Sequence, residues 1–298
     1  MARRKKDLVK WIGIAVIVLV AVVSYLTAEH PDILQIGKVT DENKGVVDFI
    51  DCGQGDSALI LSEGEAALID ASTGSETEKI ISHLKDRGVK TIKHFVLTHP
   101  HEDHIGGAKE ILETFEVENI YMKRPTKGTE PTSAVYINLL KEIRRQGKGV
   151  INAEVGKTFS CGAFEFDVLG PLGEYQDTNA QSIIVRAEYG DCSFLFTGDM
   201  EKDAEEDLVE HYGVDLDSTV LKVGHHGSDT SSCTAFLNAV SPQIAVISCG
   251  EDNSYGHPHD EALQRLEEQK AKIYRTDLSG TVTVYTDGNK VEVQEAVE

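Results

Sequence analysis

Thr98-His99-Pro100-His101-Glu102-Asp103-His104-Ile105-Gly106-Gly107 is the stretch of sequence that decides the fold. It follows the apolar run Phe95-Val96-Leu97, so we expect a strand to end there and a helix to begin near Ile105. Within six residues lie four potential metal ligands: His99, His101, Asp103 and His104. Imidazole nitrogen and carboxylate oxygen suit zinc, manganese or iron. The stretch therefore predicts a loop that binds a divalent cation.

Three further segments place potential ligands after short apolar runs. Thr197-Gly198-Asp199 closes a run rich in Phe and Leu, where a carboxylate is well placed to bridge two cations. Leu221 to Ser228 carries His225 and His226, and Tyr255 to His259 presents His257 from a loop fixed by Gly and Pro. Seven of the eleven histidines fall in three clusters: His99/His101/His104, His225/His226 and His257/His259. The clustering predicts one site built from distant segments.

These motifs resemble those of a known family. The H-x-H-x-D-H spacing at His99 to His104 is similar to that of the metallo-β-lactamase-fold hydrolases. Phe49 to Ser57 resembles the F-x-D-V-G-Q-G-D-S opening of one branch, the extracellular domain of the ComEC competence DNA-uptake protein and its stand-alone relatives. The same branch is matched by L-K-x-x-H-H-G-S at Leu221 to Ser228, by Y-G-H-P-H at Tyr255 to His259, by N-x-x-S at Asn179 and Ser182, and by Y-R-T-D at Tyr274 to Asp277.

The resemblance covers about residues 46 to 285 and implies a four-layer αββα sandwich. Alternating strand-like and helical patterns from Val46 onward agree with two β-rich halves, each flanked by helices. We expect no internal linker, so residues 45–298 form one hydrolase domain. The five cysteines are scattered without a C-x-x-C pair, which favours free thiols over a disulfide framework.

The family pattern implies a centre of two divalent cations, zinc or manganese. The first site would use His99, His101, Asp199 and His225. The second would use Asp103, His104, Asp199 and His257. The sequence has no histidine between His104 and His211, and Asn179, in that region, is a weak ligand. The alternatives are therefore a loosely held first site or a single cation.

The chemistry follows from the charge of the cation, which makes hydroxide available at neutral pH. That hydroxide would attack a phosphorus or carbonyl centre. The predicted catalytic residues are Asp103, Asp199 and His226, with Asp103 orienting the hydroxide. Either His226 or Lys222 would protonate the leaving group or hold an anionic substrate. For Asp51, Asp56 and His259 the sequence leaves a catalytic and a structural role open.

The first 44 residues predict a membrane attachment. Residues 1–10 carry five basic side chains against Asp7, and residues 11–28 have no charge, which as a helix would span about 27 Å. The positive-inside rule then predicts a cytoplasmic segment 1–10, a transmembrane helix 11–28 and a tether 29–44, with the catalytic domain outside a bacterial cell membrane. A cleaved signal peptide, which would release the domain, is the alternative.

The formal charge of −21 argues against a broad nucleic-acid footprint. Residues 121–150 oppose that average, with seven basic and two acidic side chains. They form either an ordinary solvated helix face or the rim of an anionic-substrate site. The predicted substrate-binding residues are Lys222, Asn179, Lys123, Arg124 and Arg145, with Tyr121 and Tyr136 as candidates for base stacking.

The function predicted from these observations is an exported, metal-dependent phosphodiesterase or nuclease. Its partners would be an anionic phosphodiester, either single-stranded DNA or a cell-wall polymer, and the membrane. No protein partner is inferred. The alternatives are a hydrolase of carboxylic esters, thioesters or lactams on the same fold, and a catalytically silent surface binding module.

Overall fold

The computed structural model describes residues 44–125 and 130–295, and its strands form two sheets. The strands of the first sheet are β1 (Gly45–Phe49), β2 (Ala58–Ser62), β3 (Glu65–Ile69), β4 (Thr91–Val96), β5 (Glu116–Met122), β6 (Val150–Asn152), β14 (Val282–Thr286) and β15 (Val291–Glu295). The strands of the second sheet are β7 (Thr158–Cys161), β8 (Phe164–Gly170), β9 (Ile184–Tyr189), β10 (Cys192–Phe196), β11 (Val220–Lys222), β12 (Ile244–Ile247) and β13 (Lys272–Arg275). Their spatial orders are β15-β14-β1-β2-β3-β4-β5-β6 and β13-β12-β11-β10-β9-β8-β7.

The helices lie on the outer faces of the two sheets. They are α1 (Thr77–Asp86), α2 (Glu102–Ile105), α3 (Ala108–Thr114), α4 (Ala134–Arg145), α5 (Lys202–Tyr212), α6 (Thr234–Val240), α7 (Asp260–Glu268) and α8 (Thr276–Ser279). Within residues 44–125 and 130–295 no helix is long and apolar enough to cross a bilayer. The transmembrane helix predicted for residues 11–28 lies outside the described residues.

Apolar side chains form three buried layers that hold the sandwich together. Val47, Phe49 and Ile60 point into the space between the sheets, where they meet Phe194 and Phe196 of the second sheet. On β2 the neighbouring residue Leu59 points the opposite way, as strand alternation requires, into a second layer beneath α1, α3 and α4. A third layer packs α5, α6 and α7 against the second sheet. The two predicted sheets and their outer helices are thereby confirmed.

The helical part of the first motif begins earlier than the sequence indicates. The prediction placed the start near Ile105, but Glu102–Ile105 already forms a helical turn and α3 follows after Gly106 and Gly107. A Cβ atom at Gly106 would lie 2.5 Å from the backbone nitrogen of Gly74. Only glycine therefore allows the backbone after the motif to approach the loop after β3. Asp103 and His104 consequently project from a helix rather than from an open loop.

The topology brings the functional segments to one edge. Strands β3 and β4 are parallel, as are β10, β11 and β12, so the carboxyl ends of each set lie together. The segments that follow these ends begin at Asp70, Leu97, Thr197, Val223 and Ser248. Ligands for one site can therefore come from both sheets.

Candidate metal centre

Asp199 lies in the middle of the clustered histidines and is 2% exposed. Its Oδ1 is 3.1 Å from Nε2 of His104 and 3.6 Å from Nε2 of His226. Its Oδ2 is 3.7 Å from Nε2 of His99 and 3.8 Å from Nε2 of His225. Each carboxylate oxygen therefore faces a different pair of imidazoles, which is the arrangement of a bridging ligand.

The turn before Asp199 fixes this position. Gly198 has a positive φ of 52°, and a Cβ there would lie 2.9 Å from Oγ of Ser182. That Oγ accepts a hydrogen bond from the backbone nitrogen of Asp199 at 3.1 Å and lies 3.3 Å from Nδ1 of His99. Ser182 therefore ties the bridging carboxylate to the first imidazole of the motif.

Asp103, His104, Asp199 and His226 form a group of four mutually close ligand atoms. Nδ1 of His104 contacts Oδ2 of Asp70 at 2.8 Å, and Nδ1 of His226 contacts the carbonyl oxygen of Ser248 at 3.0 Å. Because these acceptors hold a proton on Nδ1, each ring directs the Nε2 lone pair into the centre, as a metal-ligating histidine requires.

The donor set of this group fits a divalent cation. Nε2 of His104, Nε2 of His226 and Oδ1 of Asp199 are buried and have no hydrogen-bond partner among the described residues. The two nitrogens lie 3.1 and 3.6 Å from Oδ1 of Asp199 without a well-directed hydrogen bond to it, so one cation could bind all three atoms at once. Two imidazole nitrogens and carboxylate oxygens are the ligands that zinc and manganese accept.

His99, His101 and Asp199 form a second group. Nε2 of His99 is 3.0 Å from Nδ1 of His101, and His225 approaches the same oxygen of Asp199 from the other side. Asn179 lies at this end of the centre, with its Nδ2 3.4 Å from Nε2 of His225. The position of His225 fits its predicted role as the ligand that completes the first site.

His225 and His226 both adopt left-handed backbone conformations, with φ of 49° and 54°. Left-handed conformations strain residues other than glycine, by about 1–3 kcal/mol each, and cluster at functional sites. The backbone nitrogen of His225 is held by the carbonyl of Gly198 at 3.1 Å. The conformation turns both imidazoles towards Asp199, one to each of its oxygens.

The buried carboxylates and imidazoles of the centre shift one another's pKa values strongly. Burial lowers the pKa of both His104 and His226, but nearby carboxylates raise it by more. Asp199 acts on both rings, Asp70 also acts on His104, and Asp56 also acts on His226. The pKa of His104 lies well above its usual value and that of His226 is about 10. Burial raises the pKa of Asp199, but the same imidazolium groups hold it well below its usual range. The buried carboxylates of the centre are stabilised by positive charge nearby, which bound cations would supply in place of the imidazole protons.

Two carboxylates that the motifs did not assign as ligands support the imidazoles from below. Asp70 accepts hydrogen bonds from the backbone nitrogen and the hydroxyl of Thr98 at 2.8 and 2.7 Å, and it holds His104. No sequence motif pointed to Asp70, although it directly follows β3, the neighbour of the motif strand β4. Asp56 lies 3.3 Å from Nδ1 of His226 and 2.8 Å from Nζ of Lys222.

Lys222 does not face a substrate, contrary to its predicted role. Its side chain is 5% exposed, and its ammonium group donates to the carbonyl of Val223 at 2.8 Å as well as pairing with Asp56. The strand β11 ends here beneath the imidazoles, so the lysine neutralises a buried carboxylate. Asp56 is thereby placed under the centre rather than in it.

His257 lies beside the four-atom group instead of within it. Its ring stacks on His226 with centroids 6.2 Å apart, and burial with the two neighbouring imidazoles lowers its pKa to about 4. The left-handed backbone of His226 instead brings its Nε2 within 3.3 Å of Oδ2 of Asp103. His226 thus lies among the candidate ligands, which differs from its predicted role as a proton donor.

His259 and Asp51 stabilise loops. Nδ1 of His259 accepts a hydrogen bond from the backbone nitrogen of Asp229 at 3.1 Å, and Oδ1 of Asp51 accepts one from Gly53 at 3.3 Å. These contacts agree with the structural alternative, although the His259 ring also packs edge-on against His257 at 4.8 Å.

A cavity of about 490 Å³ borders the centre on the side of His99 and His101. Lys123 contributes to its wall, and Arg124 lies in an adjoining cleft. Arg145 does not border either cavity, because it forms an ion pair with Glu142 at 2.6 Å near the end of α4. Tyr136 borders the cavity, whereas Tyr121 is buried against His94 and Phe159 and cannot stack on a base. The structure thus brings only part of the predicted substrate-binding set to the centre.

Comparison with known proteins agrees with this geometry. Residues 50–251 match the family model described as the Metallo-beta-lactamase superfamily. The chain is 31% identical over 261 residues to ComE operon protein 3 of Bacillus subtilis (strain 168), covering 80% of this chain and 33% of that protein. It is 34% identical over 274 residues to Competence protein ComA of Neisseria gonorrhoeae, covering 90% of this chain and 35% of that protein. The chain thus spans about a third of the length of these relatives.

Among solved structures, the chain is similar to Igni18, a metallo hydrolase from Ignicoccus hospitalis, with a TM-score of 0.52. The sequence identity is 18%, and the match covers 80% of this chain and 98% of that one. At this identity the likeness concerns the fold alone.

Proposed function

Since the chain belongs to the metallo-beta-lactamase superfamily, we propose that it is a metal-dependent hydrolase of phosphodiester bonds in single-stranded nucleic acid. The observation that supports the metal dependence is the group of three buried ligand atoms, on His104, His226 and Asp199, that find no hydrogen-bond partner in the described part of the chain. The motif resemblance to the extracellular domain of ComEC competence proteins supports a nucleic-acid substrate. Lys123 at the wall of the neighbouring cavity supports an anionic one.

His99, His101, Asp199 and His225 would hold one cation, and Asp103, His104, Asp199 and His226 a second. Cations bound there supply Lewis acidity and lower the pKa of a bound water from 15.7 to about 7. Asp103 is the most open carboxylate of its group, with a side chain 28% exposed. It can therefore accept a hydrogen bond from the attacking water while His226 and Asp199 stay buried.

Ser182, Asp70 and the carbonyl of Ser248 fix the orientation of the imidazoles and of Asp199, which keeps the ligand atoms in place without cost at the moment of reaction. On the substrate side, Lys123, in the wall of the cavity that borders His99 and His101, would hold a phosphate of the strand. Asn179, beside His225, can donate a hydrogen bond to a second phosphate oxygen.

Activity is tested on the full chain, stripped of metal and reloaded separately with Zn²⁺ and Mn²⁺. The substrates are methyl p-nitrophenyl phosphate, fluorescent single-stranded DNA and p-nitrophenyl butyrate. We expect metal-dependent cleavage of both diesters, lost in Asp199→Ala and kept in the exposed control Asp217→Ala. Cleavage of the butyrate ester alone would support the carboxylic-ester alternative. Diester cleavage by Asp199→Ala at the wild-type rate would contradict the site.

The ligand assignment is tested by the number of metal ions per chain. We expect about two in the wild type, about one in His226→Asn and about two in His257→Asn, measured by elemental analysis after equilibrium dialysis. If His257→Asn loses an ion and His226→Asn does not, His257 is the ligand and His226 is not.

Membrane attachment through residues 11–28 is part of the same proposal. A fusion of residues 1–44 to alkaline phosphatase, which is active only outside the cytoplasm, is expected to be active and to sediment with membranes. Activity in the soluble fraction would instead indicate a cleaved signal peptide.

A further inference from the structure

The cavity beside His99 and His101 is large enough for one unit of a polymeric substrate. Its volume of about 490 Å³ lies within the range of about 300–1,000 Å³ that is typical of ligand pockets. It opens at the side of the centre that carries His99 and His101. A group bound in it would therefore be only a few covalent bonds from the bond under attack.

The cavity wall combines flat apolar surfaces with polar edges. Tyr136, Tyr175 and Pro131 supply the apolar surfaces, and Gln181 and Thr178 supply amide and hydroxyl groups. Tyr175 is held in place, because its hydroxyl donates to Asp207 and its backbone carbonyl accepts from Gln181 at 2.7 Å. A rigid aromatic ring beside hydrogen-bonding groups is the kind of surface that binds a heteroaromatic ring.

Lys123 stands where three cavities meet. It borders the large cavity, a cleft of about 440 Å³ that also contains Arg124 and Asn152, and a smaller space of about 160 Å³. Its Nζ is 3.6 Å from the largely exposed Glu174. A polymer that leaves the large cavity must therefore pass a cation before it reaches the next cleft.

Resting on the proposed function, we infer that the large cavity binds one nucleobase of the single-stranded substrate. The adjoining phosphate lies at Lys123, and the strand continues past Arg124 and Asn152. An acyl chain would use the apolar walls but neither the amide edge nor Lys123. A double helix keeps its bases stacked inside and would present none to the cavity.

The charges around the cavity decide what drives binding. Among the described residues, two cations, Lys123 and Arg124, line these cavities together with the acidic side chains of Glu130, Glu154 and Glu174. Few phosphates can be neutralised, so the buried ring must supply most of the affinity. For single strands each neutralised phosphate contributes about −0.7 to the slope of log affinity against log salt, which gives a slope of about −1.4 at most for two contacts.

The test compares the binding of oligothymidylate with that of an abasic oligomer of the same length, which has the same charge and no bases. Fluorescence anisotropy is measured on the full chain in EDTA, so that no cleavage occurs. We expect the wild type to bind oligothymidylate at least about 10-fold more tightly. Tyr175→Ala and the cavity-filling Thr132→Phe are expected to remove this preference, and Tyr175→Phe to keep it. Lys123→Met is expected to weaken binding of both oligomers equally.

The matched control for charge is Lys141→Met, an exposed position on α4 that borders none of the three cavities, and it is expected to change neither affinity. Circular dichroism confirms folding of each variant, and Thr132→Phe decides if Tyr175→Ala does not fold. Equal binding of the two oligomers by the wild type would overturn the inference. If that protein still cleaves methyl p-nitrophenyl phosphate and DNA, the proposed function stands without it. Failure to cleave any diester would refute the proposed function itself.

Discussion

Substitution of Lys222 by methionine distinguishes a structural role of this lysine from a role in substrate binding. In the structure the side chains of Lys222 and Asp56 are 5% and 7% exposed, and their charged atoms are 2.8 Å apart. Methionine fills a similar volume but removes the ammonium group nearest to the buried Asp56 carboxylate, which keeps only the His226 imidazole 3.3 Å away. Removing one partner of a buried ion pair costs about 3–5 kcal/mol. In a domain of this size each kcal/mol shifts Tm by about 2–4 °C, so we expect Tm to fall by about 6–20 °C.

The assay is thermal unfolding of the metal-free chain at neutral pH, followed by circular dichroism. Lys202→Met, an exposed lysine that pairs with Glu206, is the matched control and is expected to change stability by less than about 0.5 kcal/mol. The double variant Asp56→Asn/Lys222→Met removes both charges and is expected to be more stable than Lys222→Met alone. An unchanged Tm in Lys222→Met together with a raised KM for phosphodiesters would refute this reasoning and return Lys222 to the substrate.

Two further predictions concern other buried carboxylates. Asp70→Asn is expected to weaken metal binding about 10- to 100-fold, because the His104 ring loses the carboxylate that orients it. Competition with a chromophoric chelator measures the metal affinity. An affinity equal to that of Asp217→Asn would contradict the prediction. Burial raises the pKa of Asp48, but His83 and Arg87 lower it by more, so the folded pKa lies below the unfolded value of about 3.9. The Asp48 carboxylate therefore stabilises the fold above the unfolded pKa. This stabilisation is lost as the pH falls through the folded pKa. Asp48→Asn is therefore expected to lower the urea midpoint at pH 6, with a difference from wild type that narrows below pH 4; a difference independent of pH would count against the assignment.

Much of the candidate site could be predicted because its ligands are close together in the sequence. One loop and the helical turn after it carry His99, His101, Asp103 and His104. Asp199 comes soon after a strand whose end is marked by the change from apolar residues to Thr197 and Gly198. Asp70 could not be found in this way, since it meets His104 from 34 residues away through the pairing of β3 with β4. One sequence does not specify which strands are neighbours.

The exchange of His257 for His226 has a different cause. It depends on the sign of φ at two successive histidines, and the sequence pattern there is equally compatible with either ring entering the centre. In the fold, the strand Glu116–Met122 has a weak sequence pattern, because Glu116, Glu118 and Asn119 interrupt its apolar residues. Its buried residues Val117 and Ile120 nevertheless pack beneath α3 and α4.

The carboxyl ends of β4 and β10 meet from opposite sheets, and this has a consequence for the order of assembly. The first half of the chain carries His99, His101, Asp103 and His104, and the second half carries Asp199, His225 and His226. With the proposed ligand sets, neither half alone would hold a complete site, so a cation would be fully coordinated only after residue 226 has been synthesised and the sheets have packed together. Cation binding would then add a polar connection to the apolar layer that already joins the two sheets, and its free energy would count towards their docking.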